Sequence, residues 1–130
     1  MTMTARKKVE LLGILFWVQG GLSVAGALLF LVVGALGGLG LIEPKDTLQD
    51  RIGGALGAAI LGIGLGVTGA AQVGVGTALR RLRPWARTAG MVVGVVDIAC
   101  CCTAPIGTAI GIYAVVVLLN DEVVALFPAV

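Results

Sequence analysis

The chain contains no histidine and only three cysteines, Cys100, Cys101 and Cys102, which stand side by side. Without histidine a Ser-His or Cys-His nucleophilic pair is excluded, and Ser23 has no lysine near its depth to serve as a base. Zinc needs ligands that converge on one point, whereas consecutive helical residues point about 100° apart. The triplet therefore reads as small apolar packing residues, with a redox-active or intersubunit role as the second reading. Neither a metal site nor a disulfide framework is expected. Charge is scarce as well: 12% of 130 residues are charged, against about 25% in soluble domains. A net charge of +2 and a pI near 8.6 make no case for nucleic acid. The strings Gly62-Ile63-Gly64 and Gly74-Val75-Gly76 follow no strand and precede no phosphate-binding lysine, so they are not nucleotide loops. No enzymatic activity and no cofactor are expected.

What is present is apolar. Hydrophobic residues make up 58% of the chain and mean hydropathy is +1.08. A soluble core of this length has no room for so much apolar surface, so the sequence reads as a single integral membrane domain over residues 1–130. After the basic start MTMTARKK, an apolar run extends from Val9 to Ile42 with Glu10 as its one charge. A signal-peptide h-region is only about 7–15 residues long, so this run is expected to be a retained transmembrane helix. The loop EPKDTLQDR carries Pro44, which cannot continue a helix, and Asp46 or Thr47, either of which can cap the next one.

Further apolar runs, separated by RRLRPWAR and CTAP, complete a four-transmembrane-helix, all-α bundle. Its helices are expected over about 9–40, 51–80, 85–102 and 105–126. Helices 1 and 2, with about thirty apolar residues each, would be roughly 45 Å long, and a hydrocarbon core is about 30 Å thick. They are expected to tilt strongly or to project beyond the outer surface, while helices 3 and 4 form a shorter hairpin. Arg6, Lys7 and Lys8 together with Arg80, Arg81, Arg83 and Arg87 make up seven of the nine basic residues. The positive-inside rule then places both termini on the cytoplasmic side.

Three groups of residues are candidates for function. The first is a row of small residues in helix 2, Gly54, Ala58, Gly62, Gly66, Ala70, Gly74 and Ala78, at every fourth position. In lipid, small residues let helix backbones approach and so drive association. The row reads either as internal packing or as a face for self-association or for another membrane protein. Similar pairs recur as Gly34 and Gly38, Gly90 and Gly94, and Gly107 and Gly111.

The second group is polar. Asp97 is the only carboxylate deep in an apolar run. Ionised at the midplane it costs at least ~2.5–3.5 kcal/mol, so it must be neutral, paired, or facing water or protein. Counting from the cytoplasmic ends puts Gln19, Gln72 and Tyr113 near the same depth, and the four are expected to form one polar layer. It reads either as a proton or cation site or as a set of interhelical hydrogen bonds that fixes register. The third group is the turn Arg80, Arg81, Arg83, Trp85 and Arg87, suited to the headgroup layer, either as a topology signal alone or as a site for anionic lipid.

The stretches RPWAR (83–87), PIGTAIGIYAVVVLL (105–119) and DEVVALF (121–127) resemble a widespread group of small, uncharacterised bacterial four-helix membrane proteins. The resemblance implies topology and residence in a bacterial cytoplasmic (inner) membrane, and no activity. Small multidrug transporters share the size and helix count, but their carboxylate lies in helix 1. The functional expectation is a non-enzymatic membrane protein that assembles through helix 2, as a homo-oligomer or accessory subunit. The alternative is a small channel or proton-coupled transporter that titrates Asp97.

Overall fold

Long stretches of Leu, Val, Ile and Ala without an internal proline favour uninterrupted helix, and helices are the only regular elements among the described residues. The computed structural model describes residues 4–42, 47–99 and 105–128. They form α1 (Ala5–Gly38), α2 (Leu48–Arg80), α3 (Pro84–Ala99), α4 (Ile106–Leu118) and α5 (Asp121–Val124). The Cys100–Cys102 triplet, Pro44 and the candidate cap Asp46 lie outside the described residues.

Local sequence explains where the helices begin and end. Thr47 accepts the Asp50 N–H at 3.4 Å and donates its hydroxyl to the Asp50 carboxylate, a reciprocal cap at the start of α2. Beyond α1, Leu41 N–H donates to Leu36 O at 3.0 Å around Gly40, whose φ of +72° suits a residue without a Cβ. Beyond α2 the same six-to-one bond joins Arg83 N–H to Ala78 O at 3.1 Å, but here Leu82 takes the left-handed position, with φ +52°. Pro84 then occupies the first helical position of α3, where its missing N–H is no loss.

The expected fourth helix, through residue 126, is corrected: α4 stops at Leu118. Asn120 is extended, with ψ 128°, and its side-chain oxygen accepts the Glu122 N–H at 3.0 Å, so it caps a separate short α5. The described residues therefore hold five helices where four were expected.

Packing divides the chain into two compact units, Met1–Gln19 with Ala71–Val130, and Gly20–Ala70. The core of the first is built from Val9, Leu12 and Phe16 of α1, Leu79 of α2, Ala114 and Leu118 of α4 and Val123 of α5, all buried. Within it α3 and α4 cross where glycine meets glycine. A Cβ at Gly111 would lie 2.6 Å from Gly94 O, and one at Gly94 would lie 3.2 Å from Gly111 O. Gly13 and Gly76 make the equivalent close approach between α1 and α2, at 2.8 Å from a Cβ on Gly76 to Gly13 O.

In the second unit α1 and α2 run antiparallel. A Cβ at Gly69 would lie 2.7 Å from Gly20 O, one at Gly62 3.1 Å from Ala27 O, and one at Gly34 2.6 Å from the Ala58 Cβ. Gly20, Ala27 and Gly34 are seven residues apart, as are Gly62 and Gly69, so the seam follows a heptad comb rather than a four-residue row. The first unit's contact between Gly13 and Gly76 falls on the same spacing. Antiparallel helices meeting along small residues every seventh position keep their seam on one side, because seven residues make almost two full turns.

Candidate functional site

Asp97 points into the first unit from the last turns of α3, one turn past the glycine crossing. A Cβ at Gly111 would sit 3.4 Å from the Asp97 Cβ, so α4 closes that side with bare backbone. The carboxyl is 3% exposed. From α2, Gln72, 1% exposed, donates Nε2 to both carboxyl oxygens, at 2.8 Å to Oδ1 and 3.1 Å to Oδ2. From α1, Gln19, 7% exposed, faces the same carboxyl without reaching hydrogen-bonding geometry.

Three polar atoms of this cluster are left without a partner: Gln19 Nε2, Gln19 Oε1 and Gln72 Oε1. Buried polar groups are nearly always hydrogen-bonded, because desolvating one without compensation costs about 1–3 kcal/mol. Nothing cationic is hydrogen-bonded or ion-paired to Asp97 among the described residues. Two amides and one carboxyl hold two NH2 groups and four oxygens, and the Gln72 NH2 is engaged with the carboxyl.

Of the expected polar layer, the structure brings Gln19, Gln72 and Asp97 together. Tyr113 is half-buried against the apolar core and is not bonded to the carboxyl. Gly111 and Ala114 are the residues of α4 that face α3, and Tyr113 lies about 200° around the helix from Gly111.

The small-residue row of helix 2 is split among different surroundings. Gly62 packs against Leu31 and Ala27, Gly66 touches the Ala27 Cβ at 3.6 Å from its own would-be Cβ, and Ala58 meets Gly34. Ala78 belongs to the core of the first unit. Gly54, Ala70 and Gly74 are exposed. The reason is geometric: each four-residue step turns about 400°, so the row drifts about 40° per step and winds around the helix. The contact row at Gly62 and Gly69 was legible only with its partner spacing on α1.

Of the residues expected at the headgroup layer, Arg80, Arg81, Arg83 and Trp85 are exposed, and Arg80, Arg81, Glu10, Ile14 and Thr77 line an open polar cleft. Arg87 is turned inward, and its Nε donates to Leu118 O at 3.1 Å. That bond satisfies a carbonyl at the C-terminus of α4, where a cation also suits the helix dipole. Sequence reasoning missed the link between Trp17 and Thr77. The indole Nε1 donates to the Thr77 hydroxyl at 3.0 Å, and that hydroxyl donates to Val73 O at 2.8 Å.

No known protein family, curated protein or solved structure matches the chain.

Proposed function

We propose that the protein is a non-enzymatic integral membrane protein that associates, with a second copy or with another membrane protein, through the outward face of α2. The supporting observation is a set of open glycines. At Gly53, Gly57 and Gly64 a Cβ would meet nothing within 4 Å. At 100° per residue these three fall within about 40° of one another, and about 140–180° from Gly62 in the seam with α1. One side of α2 is therefore used inside the hairpin, and the opposite side carries a second small-residue stripe that meets no partner among the described residues.

Membrane residence rests on exposure as well as hydropathy. α1 and α2 are 34 and 33 residues long, and only 17% and 11% of their most apolar windows are buried. A core helix of a soluble protein would be covered, whereas here Leu22, Leu28, Leu29, Ile60 and Val67 face outward. We place the chain in a bacterial cytoplasmic membrane with four spans and both termini cytoplasmic, from the Arg and Lys clusters near residues 6–8 and 80–87. At 16 and 13 residues α3 and α4 are short for a span, and snorkelling Arg side chains with local thinning of the bilayer accommodate such a mismatch.

The test is native mass spectrometry from native lipid on wild type, Gly57→Leu, Gly64→Leu and Gly62→Leu. Loss of an oligomer or co-purifying partner in the first two variants, with the fold retained, supports the reading. A wild-type monomer without a partner removes it. A small channel or proton-coupled transporter is the second reading, favoured by the burial of Asp97 without a cationic partner; it requires flux that Asp97→Asn abolishes.

A further inference from the structure

The buried cluster of Gln19, Gln72 and Asp97 has oxygen ligands, one negative charge and unmet hydrogen-bonding capacity, and these features together define a ligand. We propose that it binds a single alkali-metal cation, held by a carboxylate oxygen of Asp97 and the side-chain carbonyls of Gln72 and Gln19. This goes beyond assembly through α2 and stands whether or not the helices associate.

Charge selects the valence. Among the described residues, the elements packed around the carboxyl contribute neutral groups: Gln19 from α1, Gln72 from α2, and Gly111 from α4. A monovalent cation leaves the site neutral, and a divalent one leaves an uncompensated positive charge in an apolar bundle. Size selects against organic cations, since Asp97 is 3% exposed and its neighbours are closed around it. Donor type selects a hard ion, because carboxylate and amide oxygens suit ions of the alkali and alkaline-earth class, and among the described residues the cluster holds no thiolate or imidazole.

The geometry also supplies a way to load the site. Gln72 turns its Nε2 to the carboxyl, at 2.8 and 3.1 Å. Rotation of that amide by 180° about its terminal bond, a torsion with two broad and nearly equivalent settings, exchanges nitrogen for Oε1. The carbonyl oxygen then lies beside the carboxyl, and a cation bound to both sits to one side of the pair, in contact with each oxygen. The unpartnered Gln19 Oε1 completes the set from α1, so one ion ties three helices of the first unit.

A ligand that binds the folded state raises its stability in proportion to occupancy. The experiment compares the thermal unfolding midpoint of the full chain in NaCl, KCl and choline chloride at equal ionic strength, with radioactive sodium binding measured on the same preparations. The expected result is a saturable rise in midpoint with sodium or potassium over choline and about one bound ion per chain. Both signals are lost in Asp97→Asn and in Gln19→Leu. The readout is the difference between salts within each variant, so a change in baseline stability does not obscure it. Equal midpoints in all three salts, or a salt difference that survives in both variants, would overturn the proposal. Oligomer mass in the same samples reports separately on assembly.

Discussion

Gln72 and Asp97, on α2 and α3, are joined by one amide nitrogen shared between two carboxyl oxygens, at 2.8 and 3.1 Å. The bond links two helices beside the buried Gln19 amide of α1, and it sits one turn from the crossing of Gly94 with Gly111. Shape brings α3 and α4 together there, and the polar pair sets how α2 is rotated against them.

Replacing Gln72 with Leu strands the carboxyl without its donor and should cost about 1–3 kcal/mol. The coupling between Gln72→Leu and Asp97→Leu in a double-mutant cycle should be smaller, about 0.6 kcal/mol and not above about 1.7 kcal/mol. Reversible unfolding in mixed micelles measures both. A coupling near zero would show that the two side chains are neighbours without an energetic bond.

The heptad seam predicts opposite outcomes for two glycines of α2. Gly69→Ala drives a Cβ against the Gly20 carbonyl, 2.7 Å away, and neither backbone has room to yield, so a loss of about 1–3 kcal/mol is expected. At Gly66 the nearest atom is the Ala27 Cβ at 3.6 Å, an ordinary contact. Gly66→Ala should therefore gain up to about 1 kcal/mol from helix propensity. Equal effects at both positions in a thermal-unfolding comparison would remove the seam.

Gly40 and Leu82 occupy the same left-handed position at the ends of α1 and α2. Gly40→Ala should destabilise by about 1–2 kcal/mol from its positive φ alone. The Arg51 guanidinium carbon, 2.9 Å from the new Cβ, must also shift. Leu82→Gly should change stability less, since release of about 1 kcal/mol of strain offsets the lost apolar contact. Urea or SDS titration of the two variants checks the ranking.

Arg87→Met keeps the aliphatic stem and removes the donor to Leu118 O. The expected cost is about 0.5–1.5 kcal/mol, with faster amide exchange at Val123, whose N–H bonds Asn120 O at 2.9 Å just beyond that junction. Unchanged exchange across residues 119–125 would place Arg87 outside the packing of the tail.

The sequence carried the long apolar helices, a cap for α2 at Asp46 or Thr47 and the basic turn because each rests on local chemistry. Counting along the helices from their charged ends put Gln19, Gln72 and Asp97 at one height, since each helix rises by a constant amount per residue. Depth says nothing about azimuth, which is why Tyr113 shares the height and not the cluster. The glycines of α2 lie on several overlapping rows, and only the spacing of Gly13, Gly20, Ala27 and Gly34 on α1 tells which row is in contact. The end of α4 was hidden because its apolar composition continues through Val123 and Val124, and one asparagine in an extended conformation breaks the helix.

The comb of small residues makes the hairpin sensitive to length as well as to identity. One residue inserted into α2 between Gly62 and Gly69 turns everything after it by about 100°. Thr68 then stands against the Gly20 backbone in place of Gly69. An insertion of seven residues, by contrast, restores the facing to within about 20°. Single-codon insertions and deletions within this hairpin act as frameshifts of shape: the chain is still translated correctly, but its two helices no longer mesh.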